Sequence, residues 1–151
     1  MSASTAKSAA AVCGQIFGRW QGRGIVAAYL YGSILGPRRR RDSDVDLAVL
    51  DSSQERLSWA DQSKLMDELE RALGQPVDLR MLRDCALSHQ AHILQRGQPI
   101  WTENHAEMAE YARAIEMKYE GQQEQRRQAW SSVLRKFAAR VTSPDESRLP
   151  R

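Results

Sequence analysis

Two carboxylates, Asp44 and Asp46, open an apolar run that continues Leu47-Ala48-Val49-Leu50. Residues two apart on a strand face the same side. The spacing therefore predicts both carboxylates on one face, with Cβ atoms about 7 Å apart, and Val45 and Leu47 on the opposite, core-facing side. Like charges this close repel unless a cation sits between them. Oxygen-only ligands on a rigid strand suit Mg²⁺, which takes a few carboxylates and completes its shell with phosphate and water. Asp78 interrupts a second apolar segment, Val77-Asp78-Leu79, where an acid is costly unless exposed, paired or on a metal. If the two segments pair side by side, Asp78 joins Asp44 and Asp46. Two of the carboxylates then suit a nucleotide-associated metal, and all three surround a second metal that lowers the pKa of an attacking hydroxyl. Upstream, Gly32-Ser33 supplies the other half. Gly32 permits a sharp turn and a close ligand. The Ser33 hydroxyl and nearby amides can hold phosphate oxygens. A lone Gly-Ser or a lone Asp-x-Asp carries little information; the fixed joint spacing, with a third acid on another strand, is far more restrictive.

These residues need elements to position them. Ile25–Tyr31 is a short apolar run after Gly22 and Gly24 and predicts a buried strand. Asp44–Leu50 and Val77–Leu82 predict two more, and Pro99-Ile100-Trp101 a short extended piece. Apolar residues at Ala10, Cys13, Ile16, Phe17 and Trp20 recur at helical spacing over about 4–21. A second helix is expected from the capping pattern Ser52-Ser53-Gln54-Glu55 to Leu73, closed by Gly74 and Pro76. A third should start at Arg83-Asp84 and run to about Gln95. From about 104 to 140 the chain favours helix, with Gly121 as a place to divide or bend it. Strands separated by helices argue for an α/β layer. The expected organisation is a core over 1–103, a helical segment over 104–140 that packs on the core or on a partner, and a disordered tail over 141–151.

Composition narrows the field. The 151 residues suit one domain; 42% are hydrophobic and 27% charged, as in a globular protein rather than a disordered one. A net charge of +3 permits phosphate ligands without demanding nucleic acid. The longest apolar stretch, Ile25–Tyr31, falls far short of the ~20 residues of a membrane helix. The N-terminus does not read as a cleaved signal peptide. Cys13 and Cys85 form no disulfide framework and no metal-site spacing, which points to thiols in a reducing compartment and to a cytoplasmic protein.

The run Gly32-Ser33, ten residues, Asp44-Val45-Asp46 resembles the signature of the DNA polymerase β-like nucleotidyltransferase superfamily. YGSILGPRRRRDSDVDLAVL is similar to its small bacterial branch, the minimal nucleotidyltransferase (MNT) domains, and the likeness extends to PVDLRML and HILQRGQPIWTEN. The resemblance implies a polymerase β-like fold of α/β (α+β) class: a small mixed sheet with helices on one face and a long C-terminal helical segment. It implies Mg²⁺-dependent transfer of a nucleotide from an NTP to an acceptor. MNT proteins are commonly antitoxins paired with HEPN-domain ribonuclease toxins, and some move AMP from ATP onto a tyrosine of the HEPN partner. The reading is therefore an adenylyltransferase in which Asp44 and Asp46 bind metal, Asp78 completes the cluster and acts as base, and Gly32 and Ser33 hold the triphosphate. A binding-only antitoxin and a small-molecule, aminoglycoside-type nucleotidyltransferase stand as alternatives; the latter usually needs a further substrate domain.

Four features stay open at this level. Arg38, Arg39, Arg40 and Arg41 form either a solvated loop, an electrostatic guide for ATP or an acidic partner, or an RNA contact, though no aromatic residue is interleaved. His89 and His92 are too few for a metal site and read as structural or surface residues. Tyr29 and Tyr31 read as wall or core. Met108, Tyr111, Ile115 and Tyr119 form a helical stripe that is either core or a partner contact.

Overall fold

A computed structural model of the chain describes residues 2–37 and 43–142, with side chains from Thr5 onward at the N-terminal end. The run Arg38–Arg41 and the tail beyond 142 lie outside the described residues. Contacts divide the chain into two units, residues 1–116 and 117–151.

Among the described residues the first unit is built on four strands: β1 (Ile25–Tyr31), β2 (Val45–Asp51), β3 (Val77–Met81) and β4 (Gln98–Thr102). Their order in the sheet is β3-β2-β1-β4. β1 pairs antiparallel with β2 and with β4, while β2 and β3 run parallel, so the sheet is mixed. The parallel pair needs a crossover, and α2 (Trp59–Leu73) provides it. α1 (Ser2–Arg19) precedes the sheet, and α3 (Leu87–Arg96) joins β3 to β4. α4 (His105–Thr142) is one continuous helix through Gly121, and its first turns belong to the first unit.

Alternation along β2 sorts the core. Val45, Leu47 and Val49 pack with Cys13, Phe17 and Trp20 of the α1 region and Leu65 and Leu69 of α2. Ala48 and Leu50 pack the other way, with Tyr29 and Tyr31 of β1, Ile93 of α3, and Met108 and Tyr111 of α4. Helices therefore cover both faces of the sheet, not one. A bulge between Ile25 and Ala27 resets the alternation, which is why Val26 and Ala27 share a face. Burial pushes the Cys13 thiol up to about 11, so it is an inert core group.

Two helix starts differ from the expectation. α2 is capped by Ser58, whose hydroxyl accepts from the Asp61 N–H at 3.1 Å, and not by Ser52 or Ser53. The Asp51 carboxylate, fully buried, accepts from Arg56 Nε at 2.8 Å and from the Leu57 N–H at 2.9 Å, and this wraps 52–57 into a loop. Arg83 and Asp84 do not open α3. They lie in a short 3₁₀ turn, where Arg83 Nε donates to the Asp51 carbonyl at 2.9 Å and Asp84 pairs with Arg56 at 2.8 Å. The Met108–Tyr119 stripe is resolved in favour of core for its first half: Ile115 is buried, and Tyr111 donates its hydroxyl to Gln90 Oε1.

The second unit, as described, is the helix over 117–142. It carries Trp130, Val133, Leu134, Phe137 and Val141 as exposed apolar side chains.

Candidate active site

The site grows from the end of β1. Gly32 follows Tyr31 directly, has φ +79°, and opens a 3₁₀ turn over Gly32–Leu35. A left-handed backbone at this point favours glycine. Space demands it as well, because a Cβ at Gly32 would run into the Asp46 carboxylate, 3.1 Å from its Cγ. The turn is pinned by Ile34, which is buried, and by the Gly36 N–H donating to the Ser33 carbonyl at 3.0 Å. Ser33 is left exposed at its start.

β2 brings the acids to the same place. Asp44 is exposed just before the strand, and Asp46 is half-buried as its second residue. In the ladder Asp46 stands opposite Tyr31 on β1 and in register with Asp78 on β3. Tyr31, Asp46 and Asp78 therefore form a row across three strands, on the sheet face that α3 covers. The pairing of β2 with β3 is the condition under which the sequence reading admitted Asp78 to the cluster.

The electrostatics follow from this crowding. The Asp46 carboxyl is raised above the usual aspartate range by burial first, then by Asp78 and Asp44, and is eased by Arg80 and His89. Tyr31 is pushed up to about 12 by burial and by the same two acids, Asp46 and Asp78, so its phenol stays protonated. Arg80 lies 3.4 Å from the Asp78 carboxylate, but both side chains are well exposed and water screens the pair.

Two clefts flank the row. One, of about 580 Å³, is lined by Asp78, Arg80, Cys85 and His89, with Trp59 and Gln62 from the start of α2. The other, of about 530 Å³, is lined by Tyr31, Gly32, Leu35, His92 and Arg96. Sequence reasoning missed the part that α3 plays. His89 meets the Tyr31 ring edge-on at 5.6 Å, and its Nε2 is buried without a hydrogen-bond partner among the described residues. The available signal was the spacing of His89, His92 and Arg96, which puts all three on one helical face. Tyr31, for which the sequence leaves wall or core open, is buried in the cluster beneath α3 and also lines the smaller cleft.

No three His, Cys, Asp or Glu side chains among the described residues are gathered closely enough to hold a metal ion by themselves. The donor chemistry nonetheless fits Mg²⁺. Asp44 and Asp46 offer oxygen ligands only, their mutual repulsion with Asp78 calls for a cation, and Mg²⁺ takes one or two carboxylates while phosphate and water fill the rest.

A family model described as "Polymerase beta, Nucleotidyltransferase" matches residues 19–106. Several solved structures share the fold. A chain of a toxin–antitoxin crystal structure with AMP-PNP is 23% identical, with 80% of this chain and 94% of that chain covered and a TM-score of 0.62. A chain of the MntA–HepT toxin–antitoxin is 22% identical, with 82% and 97% covered and a TM-score of 0.59. A chain of the tri-AMPylated Shewanella oneidensis HEPN toxin in complex with its MNT antitoxin is 20% identical, with 89% and 99% covered and a TM-score of 0.58. No curated protein matches the chain. No helix among the described residues is long and apolar enough to cross a membrane.

Proposed function

Because the chain belongs to the polymerase β nucleotidyltransferase family, we propose that it is an antitoxin that transfers AMP from ATP to a hydroxyl of a HEPN ribonuclease toxin, a tyrosine, and so silences it. The observation that carries this reading is the row of Asp46 and Asp78, with Asp44 beside it and Gly32 closed against the Asp46 carboxylate. Solved relatives of the same fold, one with AMP-PNP and one whose HEPN toxin is AMPylated, support the nucleotide and the acceptor.

In this reading Gly32 and Ser33 hold the triphosphate against the turn, with the α-phosphorus over the acids. Asp44 and Asp46 would hold Mg²⁺, which supplies neutralisation of phosphate charge and activation of the attacking hydroxyl. Asp78, at the edge of the larger cleft, faces the incoming acceptor and takes its proton. The acceptor oxygen forms a bond to the α-phosphorus as the bond to the leaving oxygen breaks, and pyrophosphate departs. The Tyr31 ring and His89 wall off the row from the side of α3. Residues 1–103 are the transfer core, and the helical segment 104–140 is the part that meets the partner. A cytoplasmic location belongs to the same proposal, since the donor is ATP.

Full-length protein, the HEPN toxin, Mg²⁺ and ATP labelled at the α-phosphate test the reading. Label should appear on the toxin, and it should fall by at least about a thousandfold with Asp46→Asn, since a neutral amide cannot hold the cation. Equal labelling by the variant refutes the site. A binding-only antitoxin is the second reading, favoured by the exposed Trp130 and Phe137 on 117–142. It would show as neutralisation without label.

A further inference from the structure

In the proposed reading Mg²⁺ on Asp44 and Asp46 neutralises phosphate charge beside the acid row, and no basic side chain is assigned to the β- and γ-phosphates. The described part of the turn, Gly32-Ser33-Ile34-Leu35-Gly36-Pro37, contains no basic side chain. The acid row beside it repels phosphate. Arg38–Arg41 follow this turn but lie outside the described residues; among the described ones, positive charge for a triphosphate tail laid along the turn comes from another element.

α3 provides it. The antiparallel ladder of β1 with β4 sets Leu30 opposite Gln98. Two residues beyond Leu30 is Gly32, and two before Gln98 is Arg96, so the register carries Arg96 to the level of the glycine turn. Gly97 fixes this approach. Its N–H donates to the Ile93 carbonyl at 2.7 Å, and a Cβ there would lie 3.4 Å from the Leu30 carbonyl, so the end of α3 sits hard against β1. Arg96 and His92, one turn apart, line the 530 Å³ cleft together with Gly32 and Tyr31. The arginines near β2 and β3 are occupied: Arg56 with Asp51 and Asp84, Arg80 with Asp78, Arg83 with Asp51 and Glu107. Among the described residues no acid pairs with Arg96 or His92.

We propose that Arg96, assisted by His92, binds the β- and γ-phosphates of the nucleotide in this cleft and thereby makes the site select triphosphate over monophosphate. A guanidinium is suited to this because its planar fork meets two phosphate oxygens at once. The imidazole of His92 adds a single donor. The inference rests on the nucleotidyltransferase reading.

The test is equilibrium binding of ATP and of AMP, each with Mg²⁺, to the full-length protein and to Arg96→Ala, Arg96→Lys and His92→Gln. Circular dichroism and melting temperature check that each variant is folded. Wild type should bind ATP more tightly than AMP. Arg96→Ala should weaken ATP binding by about 10- to 100-fold, the worth of charged hydrogen bonds, and leave AMP binding within about twofold. Arg96→Lys should recover part of the loss, because charge returns without the fork. His92→Gln should cost ATP about threefold. If folded Arg96→Ala and Arg96→Lys keep the wild-type ratio of ATP to AMP affinity, the inference is wrong while the nucleotide site stands. If the wild-type protein binds neither nucleotide, both fall.

Discussion

A methyl group at position 32 would land on the Asp46 carboxylate, and the φ of +79° there would strain any side chain. Gly32→Ala is therefore expected to cost about 1–3 kcal/mol of stability and about 100-fold or more in transfer, because the displaced carboxylate is the one over which the phosphate is read. Denaturant titration and the labelling assay measure the two effects; a variant as active as wild type would mean that the turn and the acid are not coupled. Asp46 itself carries the opposite bias. Its carboxyl is raised by burial and by Asp78 and Asp44. The unfolded chain releases this proton at the ordinary aspartate range, and the folded protein releases it later. Stability therefore falls as pH rises from the unfolded value through the folded one, and above that the full cost remains. Asp46→Asn should raise the melting temperature at pH 7, on the order of 1–3 °C, and leave it unchanged near pH 3 while abolishing transfer. Mg²⁺ should raise the melting temperature of the wild type more than that of the variant. A variant less stable at pH 7 than the wild type would refute the proposed strain.

At the scale of elements, Asp51 ties three of them together. It is fully buried at the far end of β2 from Asp46. It holds Arg56 and the Leu57 N–H through one oxygen, and Arg83 lies 3.6 Å from the other. Arg83 in turn lies over the Tyr111 ring at 4.7 Å, which links β2 to α4. Asp51→Ala should cost about 2–4 kcal/mol, since it leaves a buried N–H and a part-buried guanidinium without their acceptor. Urea unfolding with an unchanged slope would read this directly; a loss below about 0.5 kcal/mol would show the network to be ornamental. The same network explains two misread helix starts. Ser52–Glu55 has the composition of a capping box, and Arg83-Asp84 has that of a helix start, but both are held by contacts 5 to 32 residues away in sequence. A local pattern contains no information about such partners.

At the scale of the whole molecule, the long helix α4 serves two surroundings. Ile115 is core in the first unit, so Ile115→Ala should cost about 2–4 kcal/mol. Trp130 and Phe137, 64% and 66% exposed in the second unit, should each be replaceable by Ala within about 0.5 kcal/mol. Exposed aromatics of that size are the anchors a protein partner would bury. In size-exclusion chromatography the Asp44→Asn/Asp46→Asn protein should still co-elute with the proposed HEPN partner. The Trp130→Ala/Phe137→Ala protein should not, although it is equally folded. Retained co-elution of the latter would place the docking surface elsewhere.

The sequence by itself determined the strands, the long helix and the spacing of Gly32, Ser33, Asp44 and Asp46. These are local properties: apolar runs, helical period and residue spacing; the strand alternation expected from Asp44 onward begins only at Val45, so Asp44 stands just before it. It determined the family too, because the joint spacing was specific enough to carry a resemblance. Only the tertiary structure decided that β3 lies beside β2 in the register that sets Asp78 next to Asp46. It alone brought Arg96 level with Gly32 through β1 and β4, and it alone made core of Met108, Tyr111 and Ile115 while leaving Trp130 and Phe137 bare. Which strand neighbours which, and which stripe of a helix is covered, depends on contacts between residues far apart in the chain, and periodicity reports that a face is apolar without saying what will cover it.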